Sequence, residues 1–342
     1  MNIVLTEEIQ NFFDRCLNNC NGDIINSYIG LEITKENESI VQKSLAANNF
    51  YGFNEINNYP SLYTSVDEYL KTPYNSNIKL DCINTAGFTY DYEEMPANVL
   101  YNVSDIISDP NRELHDTMEL KAYDKPYKTT ILSQDNLFWM TDTLAESNTI
   151  NPFAKKAFGK VVTFGLGIGY FVYMALLNKN VENITIIEQS DEVITMFKNH
   201  LLPQFPMQDK INIIKGNAFD YFNKEFLENF DYIFVDIYKS NDDGFLIIEK
   251  MLEQHLPETN KIDFWIENSC FEFTRAIMLS YFINISNGIN NPFNDELYDR
   301  IYYKIDTYFS KIDITVDNSD KLKDFLYDKA LIRKIVSLNL NV

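Results

Sequence analysis

Lys160–Tyr173, KVVTFGLGIGYFVY, is the stretch on which the fold turns. An apolar run with strand character, Lys160 to Phe164, passes directly into Gly165, Gly167 and Gly169, and an apolar helical run follows at once. Three glycines at alternate positions let the chain leave a strand sharply, present bare backbone to a ligand and seat the next helix close to the sheet. An ordinary loop has no need of all three.

Working outward, a second apolar run, Asn183 to Ile187, ends on Glu188, 23 residues after Gly165. A carboxylate at that strand end can accept both hydroxyls of a ribose. Lys210 to Lys215 continues into Gly216-Asn217-Ala218-Phe219-Asp220 as a third strand. Asp231 to Val235 closes on Asp236-Ile237-Tyr238 as a fourth, and Lys261 to Ile266 closes on Glu267 as a fifth. Between them, Val193, Ile194, Phe197 and Leu201, then Phe245, Ile248, Leu252 and Leu256, recur at helical spacing. Alternating strands and helices predict an α/β fold with a Rossmann-like, doubly wound, mostly parallel sheet.

The loop also separates two kinds of nucleotide site. A GxGxxG fingerprint would place its third glycine at position 170, which is Tyr170. With FGLGIGY, IIEQSDEVI, GNAFDYF and FDYIFVDIY in that order, the chain from Lys160 to Glu267 resembles the class I S-adenosylmethionine (SAM) dependent methyltransferases. The resemblance implies that Gly165, Gly167 and Gly169 line the methionine half of SAM and that Glu188 holds its ribose. Asn217 stands where the family usually has an acidic residue that accepts from the adenine amino group, a bond an amide oxygen can also accept. Ala218 and Phe219 would flank the ring, with the Ala218 N–H available to it. Asp236 faces the same crevice; with Tyr238 as an orienting hydroxyl, it is the candidate to take a proton from an oxygen or nitrogen acceptor. Asp220 reads as a helix cap or opening residue.

Composition bounds what such a site serves. With 29 Lys plus Arg against 50 Asp plus Glu, the formal charge is -21, a field that repels phosphate backbones and disfavours nucleic acid. A small molecule, particularly a cationic one, or a basic protein is accommodated more easily. The acidic amino terminus and the lack of an apolar run approaching about 18 residues argue for a cytoplasmic protein without a membrane span. Cys16 and Cys20 would share a helix face, but His115, His200 and His255 are scattered, so no metal site is expected and the thiols read as reduced.

Four segments follow: a mainly helical region at 1–110, with helices at Thr6 to Leu17, Glu38 to Ala47 and Ser65 to Lys71; a β-hairpin or lid at 111–150, turning around Asp124-Lys125-Pro126; the SAM-binding domain at 151–285; and a C-terminal extension at 286–342, helical from Asp295 to Phe309 and Ser319 to Ser337, with a strand at Lys311 to Val316. If the hairpin folds over the pocket, Asp142 and Glu146 reach its mouth. The hairpin and apolar tail are compatible with a homodimer. A β-rich segment before the glycine loop also resembles the layout of spermidine synthases and related aminopropyltransferases, which implies decarboxylated SAM and an acidic pocket for a polyamine. This chain departs from their motifs at Ile168, at Asp236-Ile237-Tyr238-Lys239-Ser240 and at Phe138-Trp139-Met140. Three functions therefore stand: methyl transfer from SAM, aminopropyl transfer, and a SAM-binding interaction subunit without catalysis.

Overall fold

The computed structural model describes residues 1–19, 27–53, 58–83, 85 and 87–340; Cys20, half of the cysteine pair, lies outside the described residues. Five strands, β1 (Gly159–Phe164), β2 (Val181–Glu188), β3 (Ile211–Lys215), β4 (Tyr232–Val235) and β5 (Ile262–Phe264), form the central sheet. Every pairing is parallel and the spatial order is 3-2-1-4-5, so the expected mostly parallel sheet is wholly parallel among the described residues. Along β4 the side chains alternate strictly. Tyr232 and Phe234 enter one core, with Phe171, Ala175, Met196 and Phe197; Ile233 and Val235 enter the other, with Phe245, Ile248 and Met251. Both faces are thus covered, which is why these strands read as nearly continuous apolar runs.

The C-terminal helices Glu272–Ser286, Glu296–Phe309, Ser319–Tyr327 and Lys329–Val336 join helix Glu7–Asn19 in the core on the Ile233 side. The helix expected over Ser319 to Ser337 is broken at Asp328, whose backbone is extended and whose carboxylate accepts from the N–H groups of Ala330 (2.8 Å) and Leu331 (3.1 Å), capping the second half. The strand expected at Lys311 to Val316 shortens to Thr315–Val316 and pairs in parallel with Asn2–Ile3.

The segment before the central sheet differs from expectation. Residues 1–110 mix short helices with strands, and Phe88–Met95 forms an antiparallel sheet with Tyr127–Gln134 and Leu137–Asp142, so the lid draws on chain well before residue 111. The tight turn is at Asp135 and Asn136, both at positive φ (51° and 62°), a conformation these two residue types tolerate and a two-residue hairpin requires. Asp124-Lys125-Pro126 instead carries the chain between two sheets, from Leu120–Tyr123 to Tyr127–Gln134. Among the described residues no helix is long and apolar enough to cross a membrane.

Candidate functional site

The strand order reverses between β1 and β4, and there, at the carboxyl ends of the strands, lies a cavity of about 540 Å³. Gly165, Gly167 and Gly169 line or support it with φ of +96°, +52° and +76°, all in the left-handed region. Their roles differ. A Cβ on Gly165 would lie 2.0 Å from the Asp236 carbonyl oxygen, and one on Gly169 2.5 Å from Phe197 Cε2, so both are required for close packing. At Gly167 the nearest atom would be Met140 Cε at 3.6 Å; this glycine faces the open cavity. The loop is also held from outside, since the buried Tyr74 hydroxyl donates to the Ile168 carbonyl at 2.8 Å.

Glu188 closes β2 beside the loop. Its Oε2 accepts from the Leu166 N–H (3.1 Å) and its Oε1 from the Ser190 N–H (2.8 Å), which fixes the carboxylate and leaves each oxygen a further lone pair for a hydroxyl. Asn217 follows β3, and its Oδ1 accepts from the Phe219 N–H at 3.0 Å, capping the short helix Ala218–Tyr221. Part of its acceptor capacity toward a base is thereby taken, and the following helix, Lys224–Leu227, is capped by Asn223 and not by Asp220. The Ala218 N–H has no hydrogen-bond partner among the described residues. Glu188, Asn217, Ala218 and Phe219 line one end of the cavity.

At the other end stand Asp236 and Glu146, under a roof of Phe138, Trp139, Met140 and Thr141 from the strand Leu137–Asp142. Helix Leu144–Lys156, capped by Thr143 through the Glu146 N–H, delivers Glu146. Burial, then the nearby Glu146 charge, pushes the Asp236 carboxyl up to about 8. Burial, then Asp142, raises Glu146 to about 7. Asp142, behind the wall, is raised by burial to about 6 while the Tyr69 hydroxyl donates to it at 3.2 Å. Among the described residues no hydrogen bond or ion pair reaches the carboxylates of Glu146 or Asp236, and no three His, Cys, Asp or Glu side chains are grouped to hold a metal.

Tyr238 does not suit the role expected of it. Its ring is buried against Trp265 and its hydroxyl donates to the Trp265 carbonyl, so it orients nothing toward the cavity. Trp265, Met140 and Tyr74 were not anticipated from sequence. Trp265 carried one usable signal, its position at the carboxyl end of β5; Met140 and Tyr74 come from segments whose placement depends on tertiary packing alone.

No protein-family model matches the chain, and no curated protein matches it. Among solved structures, a probable spermidine synthase from Corynebacterium glutamicum matches at 10% identity and TM-score 0.27, over 38% of this chain and 53% of that one. The spermidine synthase from Thermotoga maritima matches at 14% identity and TM-score 0.27, over 54% of this chain and 60% of that one. The chain thus spans between half and two thirds of these two structures, and likenesses this slight carry no argument about its activity.

Proposed function

We propose that this protein transfers an alkyl group from the sulfonium of an adenosyl compound to an amine that arrives as a cation. Aminopropyl transfer from decarboxylated SAM is the leading reading. The observation that carries it is the pair of unpartnered carboxylates, Asp236 and Glu146, on the wall of the cavity that the glycine loop and Glu188 also line. Two half-buried carboxylates, of which Glu146 raises the titration of Asp236, repel when both ionise, and a bound cation relieves that cost.

The donor end suits an adenosyl group: Glu188 keeps a free lone pair on each oxygen, Gly167 leaves room for close approach, and the Ala218 N–H is unpaired. Charge favours the decarboxylated donor. Among the described residues the cavity wall carries Glu146, Glu188 and Asp236 but a single cation, the exposed Lys239. A tail ending in an ammonium meets acids there, whereas the carboxylate of SAM has only Lys239 to meet. Lys239 is also the observation that favours the second reading, methyl transfer from SAM.

The donor supplies a carbon already bonded to a good leaving group: the amine lone pair forms the new C–N bond as the C–S bond breaks, its electron pair staying on sulfur. Glu146 and Asp236 bind the incoming ammonium and direct it toward the loop. Asp236 takes the proton from nitrogen; a carboxyl that titrates near 8 is a much stronger base than an ordinary carboxylate. Trp139 and Met140 line the site across from the loop, and alignment contributes most of the remainder. Separate calorimetric titrations with SAM and decarboxylated SAM, followed by product analysis with putrescine and spermidine, test the proposal. Tighter binding of the decarboxylated donor with an aminopropylated product supports it. Preference for SAM with a methylated amine moves the assignment to the second reading, and consumption of neither donor leaves the interaction subunit.

A further inference from the structure

Ile266 has φ +41° and ψ +37°, a left-handed conformation that a β-branched side chain rarely adopts. Such a residue persists only where its surroundings over-determine it. Here both flanks do. On the amino-terminal side, Trp265 is pinned in three places: its N–H donates to the Val235 carbonyl (2.9 Å), its indole Nε1 donates to Thr149 Oγ1 (2.9 Å), and its carbonyl accepts from the Tyr238 hydroxyl. On the carboxyl side, Glu267 is buried in a bidentate pair with Arg333, Nε to Oε1 at 2.6 Å and Nη2 to Oε2 at 2.8 Å, and Lys329 approaches Oε2 at 2.6 Å. Arg333, fully buried, also donates to the carbonyls of Thr259 (3.2 Å) and Ile262 (3.1 Å), tying the helix Lys329–Val336 to the start of β5 as well.

A second anchor comes from a distant segment. Asp105 accepts from the N–H groups of Ser269 (3.1 Å) and Asn268 (3.3 Å) and from the Ser269 hydroxyl, while Asn268 Nδ2 donates back to the Ile106 carbonyl at 3.1 Å. The turn after β5 is therefore gripped by residues 105–106 on one side and by residues 329–333 on the other. What it presents to the cavity is Trp265, tilted against Tyr238 at a ring separation of 5.8 Å, with Asp236 two residues before Tyr238.

We propose that Ile266–Ser269 is a strained clasp that sets the Trp265–Tyr238 wall beside Asp236, with Glu267 and Asp105 as positioning residues. The two chain extensions then belong to the functional unit, because each supplies one jaw. The claim concerns the wall and holds whichever donor binds; only the binding arm of its test rests on the function proposed above.

The chain has two tryptophans, Trp139 and Trp265, so a Trp139→Phe background makes Trp265 the sole indole reporter. In that full-length background, Glu267→Gln keeps the size of the anchor but removes its charge, Asp105→Asn weakens the other jaw, and Ile266→Gly leaves both jaws in place while freeing the backbone between them. Thermal unfolding, Trp265 emission with acrylamide quenching, and calorimetric affinity for decarboxylated SAM and SAM are measured on each. The expected result is folded protein at 20 °C in which Trp265 emission shifts to the red, quenching at least doubles, and affinity for whichever donor the parent binds weakens about tenfold. A merely structural anchor lowers the unfolding temperature and leaves Trp265 in the folded protein unchanged; that result overturns the proposal. Should Glu267→Gln fail to fold, Ile266→Gly decides by the same fluorescence criterion. A wild-type protein that binds neither donor refutes the proposed function; in either case the Trp265 readout judges the clasp by itself.

Discussion

The two ends of the cavity are built on opposite principles. At the donor end the side chains are already held: Glu188 has two N–H partners, Asn217 caps a helix, and the glycine loop is braced by the Tyr74 hydroxyl. At the acceptor end Asp236 and Glu146 stand without partners and titrate far above the ordinary carboxylate range. The first end is a rigid mould, stable with or without ligand. The second carries an electrostatic cost whenever its carboxyls ionise, which a bound proton or a bound cation removes, and groups perturbed in this way are where chemistry is to be sought.

The contrast can be broken most severely at Asp236. Asp236→Asn is expected to lower amine alkylation by about 10²–10⁴-fold while donor affinity changes only a few-fold. Turnover assayed with labelled donor checks it, and near-normal rates would mean the acceptor end carries no chemistry. Next in size is a comparison within the loop. Gly165→Ala forces a Cβ against the Asp236 carbonyl and should cost roughly 3 kcal/mol or more in urea unfolding, whereas Gly167→Ala meets only the end of Met140 and should cost about 1–2 kcal/mol. Similar costs for the two would undo the separation of packing and ligand-facing glycines.

Glu188→Ala should weaken donor binding by about 1–3 kcal/mol through two stranded hydroxyls and leave acceptor binding alone. Calorimetry with each ligand in turn distinguishes these. The smallest expected effect is on stability against pH. Asp236 and Glu146 titrate at about 8 and about 7 in the folded chain against ordinary values of 3.8 and 4.5. The folded state therefore keeps protons that the unfolded chain releases. The stability these two groups contribute is full below about pH 4 and is lost as pH rises through 7 and 8. Between pH 6 and 8.5 the unfolding temperature of the wild type should fall by a few degrees more than that of Asp236→Asn, and a saturating diamine should narrow the gap. Parallel curves for the two proteins would contradict the raised titration of Asp236.

The same contrast explains what was legible in the sequence. The donor end comes from one continuous piece, Gly165 to Phe219, in which each ligand-facing residue follows a short, nearly continuous apolar run, so position along the chain gives position in space. The strands stand where that pattern places them, with one instructive shortening. β5 stops at Phe264 because Ile266 turns into the left-handed region, which an apolar run such as KIDFWI cannot announce. The acceptor end assembles from the strand Leu137–Asp142, the helix behind it, the end of β4 and Trp265. Whether Glu146 reaches the cavity depends on how the lid packs, and the lid's third strand, FTYDYEEM, lies mostly in solvent and gives little apolar pattern to read. Tyr238 misled for a simpler reason: its place after β4 is the expected one, and only the Trp265 carbonyl opposite shows where its hydroxyl goes.

The strand Asn2–Ile3 lies beside Thr315–Val316, and the Met1 ammonium donates to the Phe309 carbonyl at 3.0 Å, 308 residues away. Closing so long a loop comes at an entropic cost that only a preformed surface can offset, so this pairing is expected to form after the body it docks on. On the ribosome, helix Glu7–Asn19 must wait with Ile9, Phe12 and Phe13 uncovered until the last helices emerge. A segment made before the central sheet is then settled after it, and that interval is when nascent-chain chaperones and proteases have their best access to it.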